Sequence, residues 1–577
     1  MSRQEQTSPP ARRRVLVMGL DGATFDLMGP WMAEGRLPNL ARLAAYGAHG
    51  PLDPAPNLRS AASWTSFATG ANPGRHGIYE FYDFEPQSYG IRFVNGGERA
   101  VPALWQLADA AGLATVSVNV PMSYPAEALA HGILLAGLDA PGTASPGFCH
   151  PAGILAELED RFGRYIIEPG LTGCIVDGRL DEAVALLFAE IEQKRQVALA
   201  LLQEKPWDLG IIVFRSLDAA QHCFWKHLDP GHPAHDPGLA ARYGSVIPRV
   251  YQTLDAIAGE LCGLLGPEDV FVILSDHGAG PKHPAANQLN AWLAAHGYLA
   301  YQERRPGLGP AVTTALQAAY RLVAAKLPRR GKEAIARLLP GLRNRVQSRL
   351  CFTGIDWSRT RAYSDTLFAN IRLNLAGREG QGIVSPGAEA AALLAELKAA
   401  LLDCRDAASG ERIVEAVLLR DEIYHGAHAG RAPDLTIRWR EDGRISGLAL
   451  PGGPADQDPA AYPLIPAEDA RVISGDHRRF GVFFAAGHGI RPDFRLADAR
   501  IIDVAPTILA LLGLPIPDHM DGRVLAELLA EPVASGAAGG GKPPAPPAPA
   551  AGQPARTYTG AEREAIAQRM RDLGYLE

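Results

Sequence analysis

The stretch Asp269-Val-Phe-Val-Ile-Leu-Ser-Asp-His-Gly278 joins an apolar run to an adjacent carboxylate and imidazole. The run 270–274 contains only apolar residues, most of them β-branched or aromatic, which predicts a buried strand. In open α/β sheets, ligands bind beyond the carboxyl ends of the strands. Asp276 and His277 lie at that end and have side chains that bind divalent metals. Such pairs also occur in ordinary loops, so further evidence is needed.

Three other segments place carboxylates or imidazoles next to apolar runs. A single Asp after a strand is more often a helix cap or a turn residue than a ligand. Repetition of the pattern favours a metal site. Asp218 and His222 lie four residues apart, a spacing that brings two side chains together on one helix face. The candidates are Asp21 after the run 14–20, Asp218 and His222 after the run 208–214, and His477 before the run 480–486.

Composition indicates an ordinary globular protein. The chain has 577 residues, 47% of them hydrophobic and 21% charged, and a net charge of -7 gives it no general attraction to nucleic acid. Six scattered cysteines without a C-x-x-C pair predict reduced thiols in a cytoplasmic protein. No apolar run reaches the ~18 residues of a membrane-spanning helix. The short run that ends at Asp21 predicts a core strand and not a signal peptide.

The segment 60–78 is similar to a sequence motif of a known protein family. It reads Ser60-Ala-Ala-Ser-Trp-Thr-Ser-Phe-Ala-Thr-Gly-Ala-Asn-Pro-Gly-Arg-His-Gly-Ile78. Together with the Asp and His segments, it resembles the alkaline phosphatase superfamily, and within it the type I phosphodiesterase and nucleotide pyrophosphatase-like branch. The resemblance implies that Ser60 is the catalytic nucleophile, although this family usually has Thr there. Ser63 and Thr65 are the rival hydroxyls.

The resemblance also implies a two-metal site. Asp218, His222 and His477 would bind one ion, and the other would be bound by Asp21, Ser60, Asp276 and His277. Mixed Asp and His ligands suit Zn²⁺, with Mn²⁺ as an alternative. Two ions about 4 Å apart can clamp a phosphoryl group during transfer. The expected mechanism has two displacements: Ser60 first forms a phosphoseryl enzyme, which water then hydrolyses.

Strand-like runs alternate with helical ones, which predicts a mainly parallel α/β sheet flanked by helices. The predicted organisation is a disordered tail (1–13), an alkaline-phosphatase-like catalytic domain (14–530), a Pro/Ala/Gly-rich linker (531–556) and a C-terminal helix (557–577). Two stretches, about 80–205 and 285–465, are too long for simple connections, so we expect them to be inserted segments that cap the substrate site. The C-terminal helix has three partners open to it: its own chain, a second subunit by self-association, or another protein.

Substrate-binding candidates follow from position in the sequence. Ser63 lies near the nucleophile, and Lys282 and Asn290 follow the Asp276-His277 pair. The segment 321–350 has nine Lys or Arg residues against one acid. This composition is typical of a solvated helical surface, and the alternative hypothesis is a surface that attracts an anionic lipid or nucleotide.

The predicted function is metal-dependent phosphoester hydrolysis by a phosphodiesterase or nucleotide pyrophosphatase acting on a small phosphate ester or a nucleotide. A cofactor-independent phosphomutase or phosphotransferase is the first alternative, because it uses the same site. A non-catalytic binding protein on this fold is the second. A sulfatase is excluded, because the residues after Ser60 lack the x-Pro-x-Arg pattern of that class.

Overall fold

A computed structural model describes residues 13–302, 352, 354–365, 369–451, 472–531 and 557–573. Most of the predicted tail (1–13), the basic segment 321–350 and all but one residue of the predicted linker (531–556) lie outside the described residues. The strands are β1 (Val15–Leu20), β2 (Gly47–Asp53), β3 (Tyr82–Phe84), β4 (Ile91–Phe93), β5 (Thr115–Val118), β6 (Gly132–Leu135), β7 (Cys149–His150), β8 (Leu209–Phe214), β9 (Val270–Leu274), β10 (Gly278–Pro281), β11 (Ala362–Tyr363), β12 (Asn370–Leu373), β13 (Val414–Leu419), β14 (Leu435–Trp439), β15 (Gly475–Arg478), β16 (Gly481–Gly487), β17 (Phe494–Arg495) and β18 (Ala499–Arg500).

Helices alternate with these strands over most of the chain. They are α1 (Phe25–Ala33), α2 (Pro38–Tyr46), α3 (Ser60–Thr69), α4 (Pro73–His76), α5 (Leu104–Ala110), α6 (Ile154–Phe162), α7 (Leu171–Val176), α8 (Leu180–Glu204), α9 (Ser216–Leu228), α10 (Pro237–Tyr243), α11 (Val246–Cys262), α12 (Leu289–Ala295), α13 (Ala388–Leu402), α14 (Arg420–Ile423), α15 (Val504–Leu511) and α16 (Gly560–Asp572). In the described part of the chain, no helix has the combination of length and apolar character that a membrane span requires.

One large sheet organises the molecule. Its strand order is β17-β2-β16-β9-β1-β8-β5-β6-β7, with β18 also paired to β2. The neighbours from β9 to β6 run parallel, and β16 is antiparallel to both β9 and β2. The mainly parallel α/β sheet flanked by helices is therefore confirmed.

The three central strands explain the stability of this sheet. Every residue of β1, β8 and β9 is buried, and most are Val, Ile, Leu or Phe. Burial of each such side chain stabilises the fold by about 1.5–3 kcal/mol. Because strands of this kind are covered on both faces, their apolar sequence continues without alternation until the polar residues at their carboxyl ends.

The stretch 80–205 differs from the predicted capping insertion. It contains β5, β6 and β7, which extend the central sheet on the far side of β8. Its last part forms the long helix α8, which contacts β8 and β5. The prediction was wrong here, because strands of four residues or fewer between loops carry too little periodicity to be recognised in the sequence.

The described part of the stretch 285–465 builds a second unit. It contains the antiparallel sheet β11-β12-β14-β13, on which α13 packs. The buried apolar side chains of this unit form their own cluster, which includes Leu373, Leu397 and Leu435. This second unit supplies one wall of the cavity described below.

The helix α16 packs on its own chain. Its start has the reciprocal bonds of a capping box, from Thr559 N to Glu562 Oε2 (2.9 Å) and from Glu562 N to Thr559 Oγ1 (3.3 Å). Ile566, Met570 and Leu573 are buried in the main core. This structure therefore shows the helix packed on its own chain, and self-association through it stays a prediction.

Candidate metal centre

The parallel strands bring three carboxylates to one edge of the sheet. Asp21 directly follows β1, Asp276 follows β9, and Asp218 lies in the first turn of α9, just after β8. Since β1 lies between β8 and β9, the three side chains meet at the carboxyl ends of adjacent strands. His477 reaches the same place from β15, which pairs with β10 so that Ala279 lies opposite it.

Asp21, Asp276 and His277 form the first group, which we call group A. Their ligand atoms lie within 4.8 Å of one another, and all three residues are buried. Nε2 of His277 is 3.6 Å from Oδ1 of Asp21 and 3.3 Å from Oδ2 of Asp276. No residue in the described part of the chain donates a hydrogen bond to either of these carboxylate oxygens. Buried oxygens of this kind, facing an imidazole nitrogen, fit a divalent cation.

Asp218, His222 and His477 form the second group, which we call group B. Oδ1 of Asp218 is 3.1 Å from Nε2 of His222 and 3.6 Å from Nε2 of His477, and the two imidazole nitrogens are 3.2 Å apart. The ligand atoms of Asp218, His277 and His477 also lie within 4.8 Å of one another. The rings of His277 and His477 stack 3.5 Å apart. The groups therefore adjoin, with His277 at their junction.

Backbone carbonyls orient the three imidazoles. Nδ1 of His222 lies 2.8 Å from the carbonyl oxygen of Gly475, and Nδ1 of His277 lies 2.9 Å from that of Gly278. His477 makes the same contact with Leu58 at 2.9 Å. A carbonyl can only accept, so each Nδ1 carries the proton and each Nε2 keeps a free lone pair. This tautomer is the one that metal-binding histidines adopt.

Electrostatics in the two groups favours a cation. Burial raises the pKa of Asp21, and burial together with Asp21 and Asp218 raises the pKa of Asp276 well above its ordinary range. Burial also lowers the pKa of His277 and, with His277 beside it, the pKa of His477. For Asp218 the raising effect of burial is overcome by His222, His477 and Arg215, so its pKa is lowered. Burial acts to lower the pKa of His222, but the charge of Asp218 and the hydrogen bond to it outweigh this effect, so the pKa of His222 is raised. His277 and His477 are therefore the imidazoles that stay neutral.

Arg215 joins the two groups. Its Nε lies 3.2 Å from Oδ2 of Asp21, and its Nη2 lies 3.0 Å from Oδ2 of Asp218. Its Nη1 contacts Glu168 at 3.2 Å, and its side chain is buried. Trp64 donates to the same Asp21 oxygen at 3.1 Å. These donors occupy the Oδ2 atoms, so the Oδ1 atoms of both carboxylates are left to face the imidazoles.

The sequence prediction missed Arg215. Its signal was present, since Arg215 stands three residues before Asp218, and this spacing brings side chains together at the start of a helix. Its contact with Asp21 spans 194 positions of sequence and could not be foreseen.

The predicted nucleophile lies against group A. Oγ of Ser60 is 3.1 Å from Nε2 of His277, at the first residue of α3. The rival hydroxyls are engaged by backbone groups. Ser63 Oγ accepts from Ala55 N at 3.2 Å, and Thr65 Oγ1 donates to Ala61 O at 2.6 Å. Ser60 is therefore the hydroxyl of this segment that meets the candidate metal ligands.

A comparison with family models identifies the chain independently of the site geometry. The model described as type I phosphodiesterase / nucleotide pyrophosphatase matches residues 15–447, which is most of the chain. The chain belongs to the type I phosphodiesterase/nucleotide pyrophosphatase family. It is accordingly an enzyme that hydrolyses phosphoester bonds. No curated protein matches its sequence.

Solved structures similar to this family member include murine ectonucleotide pyrophosphatase / phosphodiesterase 5, with 15% identity, a TM-score of 0.46, and coverage of 90% of this chain and 100% of that one. Human ectonucleotide pyrophosphatase / phosphodiesterase 5 has 14% identity and a TM-score of 0.46, with the same coverage of 90% and 100%. Phosphonoacetate hydrolase from Sinorhizobium meliloti, solved in complex with phosphonoformate, has 15% identity, a TM-score of 0.49, and coverage of 87% of this chain and 95% of that one.

In this phosphodiesterase-family chain, two of the residues predicted to bind substrate interact with other parts of the protein. The amide of Asn290 donates to Ser364 O and accepts from Ser364 N, both at 2.8 Å, so it fastens α12 to the chain after β11. Lys282 follows β10, and its charge helps to lower the pKa of Asp476 against the raising effect of burial. Neither residue lines the cavity beside the site.

A cavity of about 120 Å³ opens next to group B of this family member. On one side it is lined by His477 of β15 and by Arg59, which precedes α3, and on the side of the second unit by Arg438, Trp439 and other residues of β14. The cavity therefore lies between the second unit and the segments that carry His477 and Arg59. None of these cavity residues from β14 was predicted, because their sequence places them in a strand far from every ligand segment.

Proposed function

We propose that this chain is a metal-dependent phosphodiesterase or nucleotide pyrophosphatase that acts through a phosphoserine at Ser60. The observation that carries the proposal is the 3.1 Å contact between Ser60 Oγ and Nε2 of His277, beside the two buried oxygens of Asp21 and Asp276. This arrangement places a hydroxyl and candidate metal ligands around one point, as phosphoryl transfer requires.

Asp21, Asp276 and His277 would hold one ion, and Asp218, His222 and His477 the other. Zinc is the preferred metal and manganese the alternative, because both accept Asp and His ligands. Bound divalent ions would lower the pKa of the Ser60 hydroxyl and offset negative charge on the phosphoryl oxygens.

The residues of the chain account for the displacement steps. In the first step, a bond forms between Ser60 Oγ and phosphorus, and the bond from phosphorus to the leaving oxygen breaks. Backbone N–H groups in the first turn of α3, which lack partners within the helix, would favour the negative charge of phosphoryl oxygens placed at Ser60. In the second step, a water oxygen bonds to phosphorus, the bond between phosphorus and Ser60 Oγ breaks, and Oγ regains a proton in place of the one lost in the first step.

A phosphodiester is the preferred substrate over a monoester. A monoester carries an additional negative charge on the transferred phosphoryl group, and neither arginine nearest to Ser60 in the sequence is available to bind that charge. The two arginines nearest in sequence are both engaged: Arg75 pairs with Asp521 at 2.9 Å, and Arg59 lies 3.6 Å from Glu80.

The test is turnover of bis-p-nitrophenyl phosphate against p-nitrophenyl phosphate by the metal-loaded protein. We expect faster hydrolysis of the diester, and a loss of at least about 10³-fold in kcat for Ser60→Ala. Ser63→Ala is the matched control and should keep most of its activity. Acid quenching during turnover should trap phosphorus on Ser60 in the wild type, as the p-nitrophenyl phosphodiester from the diester substrate and as phosphoserine from the monoester, and neither in Ser60→Ala.

Two outcomes would replace this proposal. Full activity in Ser60→Ala would remove Ser60 as the nucleophile. Return of the phosphoryl group to the substrate, without release of phosphate or of a free phosphomonoester, would favour the phosphomutase alternative.

The described cysteines, Cys149, Cys174, Cys223, Cys262 and Cys404, are free thiols, and the cytoplasmic location stays a prediction.

A further inference from the structure

The cavity beside the site has an unusual concentration of arginine. Those that line it are Arg59, Arg372, Arg431, Arg438, Arg440, Arg478 and Arg479. Because His477 of group B lines the same cavity, a group bound there can belong to the molecule whose phosphoryl group reaches Ser60. The partners of these arginines show which of them is available to such a group.

Six of the seven arginines already have partners. Four pair with carboxylates and two donate to backbone carbonyls. The pairs are Arg59 with Glu80 (3.6 Å), Arg431 with Asp83 (2.5 Å), Arg440 with Asp442 (2.9 Å), Arg479 with Asp53 (2.7 Å), Arg372 with the carbonyl of Arg431 (2.5 Å) and Arg478 with the carbonyl of His477 (3.0 Å).

Arg438 is the exception. Its Nε is buried, and no residue within the described ranges accepts a hydrogen bond from it or forms an ion pair with it. Burial and the nearby charge of Arg479 lower the pKa of Arg438. Asp53 and Glu415 act in the opposite direction, but Asp53 is held by Arg479 and Glu415 is exposed. A guanidinium that lies beside another cation and has no acceptor is stabilised when an anion binds to it.

Trp439 adds a second donor beside it. The Nε1 of Trp439 is buried and has no acceptor among the described residues, and the indole meets the ring of His283 edge-on at 5.7 Å. Both the guanidinium and the indole N–H can only donate. Buried donors are almost always satisfied in folded proteins. Arg438 and Trp439 both line the cavity, so each of these donors can meet an acceptor that enters it.

We propose that Arg438 and Trp439 form an anion subsite that binds a second anionic group of the substrate, a phosphate or a carboxylate outside the transferred phosphoryl group. This inference rests on the proposed function, because it takes the cavity as the space next to the reacting phosphorus. It narrows the substrate class to phosphodiesters and phosphoanhydrides that bear another negative charge, such as a nucleoside triphosphate. Diesters of two uncharged alcohols would be poorer substrates.

The kinetic test compares ATP with bis-p-nitrophenyl phosphate, whose leaving group has no second phosphate. In Arg438→Gln, the ratio of kcat/KM for ATP to that for the diester should fall by about tenfold or more, since a charge-assisted hydrogen bond is lost. Arg438→Lys keeps the charge but lacks the planar fork, so its ratio should lie between those of wild type and Arg438→Gln. Trp439→Phe keeps the ring and removes the N–H, and should lower the ratio by a smaller factor.

The control is Arg412→Gln. Arg412 lies on the same unit, pairs with Asp403 at 2.9 Å, and has a side chain that is 64% exposed. The Arg412→Gln variant removes a positive charge at a residue that does not line the cavity, so the ratio of kcat/KM for ATP to that for the diester should not change. Thermal denaturation should show that wild type and Arg438→Gln are both folded. An equal ratio of kcat/KM for ATP to that for the diester in these two proteins would then overturn the subsite.

A binding test separates this inference from the proposed function. Metal-free protein, prepared with a chelator, is titrated calorimetrically with inorganic pyrophosphate and with malonate, which distinguish a phosphate from a carboxylate ligand. Binding of either that weakens about tenfold in Arg438→Gln supports the subsite. Absence of binding by both overturns it. An inactive wild type that still binds pyrophosphate through Arg438 would contradict the hydrolase mechanism and leave the subsite standing.

Discussion

Arg215 is a single residue that serves both candidate metal groups. Its guanidinium contacts Asp21 of group A, Asp218 of group B and Glu168, all of them buried. Three carboxylates around one arginine leave a net negative charge inside the protein. The arginine thus holds the carboxylates in place, while the remaining charge favours cations at the free oxygens.

Replacement of Arg215 by Met should destabilise the metal-free protein by about 3–5 kcal/mol, because the partner carboxylates are left buried without a counter-charge. Added Zn²⁺ should restore more of the unfolding temperature in Arg215→Met than in wild type, since bound cations replace part of the lost charge. Denaturation with and without a chelator measures both effects.

Arg99→Met is the matched control for that experiment. Arg99 is also a buried arginine, with 4% of its side chain exposed, and pairs with Glu127 away from the candidate ligands. Its variant should lose stability without recovery by metal. A metal response that is equal in both variants would contradict the role assigned to Arg215.

At the scale of elements, α3 carries the nucleophile and is fastened at its far end by a buried histidine. Nε2 of His76, the last residue of α4, lies 3.0 Å from Oγ of Ser66, while its Nδ1 accepts from Ile78 N at 3.1 Å. Burial lowers the pKa of His76 to about 3. The imidazole is therefore neutral and Nε2 carries the proton that it donates to Ser66.

This depressed pKa makes stability depend on pH. The unfolded chain protonates His76 near its ordinary pKa of 6.5, whereas the folded protein does so only near about 3. The stabilisation is therefore complete above about pH 6.5 and is lost as the pH falls toward about 3, by at most about 1.4 kcal/mol per pH unit. Urea denaturation between pH 7 and pH 4 should show a shallower decline for His76→Gln than for wild type. Identical slopes would contradict this assignment.

The element α16 joins the core through one face. Met570 is fully buried, Tyr558 OH donates to Asp139 O at 2.6 Å, and Arg569 Nη1 donates to Leu138 O at 2.9 Å. These contacts attach the end of the chain to the segment that follows β6. Arg569 also lies within electrostatic range of Glu168, which contacts Arg215.

Met570→Ala should lower the free energy of unfolding by about 2–5 kcal/mol, because a buried side chain is replaced by a cavity. The exposed Gln568→Ala on the same helix is the control and should change it by less than about 0.5 kcal/mol. Thermal denaturation at two protein concentrations gives the measurement. A midpoint that depends on concentration would show that α16 packs on a second subunit instead of its own chain.

At the scale of the whole molecule, the candidate metal centre ties together distant parts of the chain. Its ligands come from the ends of three sheet strands and from β15, and are spread from Asp21 to His477. An ion bound by such ligands links elements that separate on unfolding. Binding to the folded state alone stabilises it in proportion to the logarithm of the free metal concentration.

Removal of metal with a chelator should therefore lower both turnover and unfolding temperature, and resupply should restore them together. At a free metal concentration of 100 times Kd, the stabilisation from one site is about 2.7 kcal/mol. Metal analysis of the purified protein, followed by resupply of Zn²⁺ or Mn²⁺, identifies the ion. Asp276→Asn should bind fewer ions per chain. Unchanged stability and turnover after complete metal removal would contradict the two-metal hypothesis.

Much of the fold and of the candidate site was predictable because its information is local. The runs before Asp21, Asp218 and Asp276 are apolar without alternation, and this pattern predicts central strands of a parallel sheet. Residues at the carboxyl ends of neighbouring parallel strands must meet at one edge. The short strands β5, β6 and β7 lacked such a pattern, so their place in the central sheet was not foreseen.

The sequence by itself thus determined the class of the fold and the candidate ligands that follow its strands, because periodicity and strand ends are properties of neighbouring residues. Only the tertiary structure decided that Arg215 joins Asp21 to Asp218, that Asn290 hydrogen-bonds to Ser364, and that Arg438 lines a cavity with no acceptor for its Nε among the described residues. These facts depend on contacts between residues far apart in the chain, and on which polar atoms are left unpaired once the chain is packed.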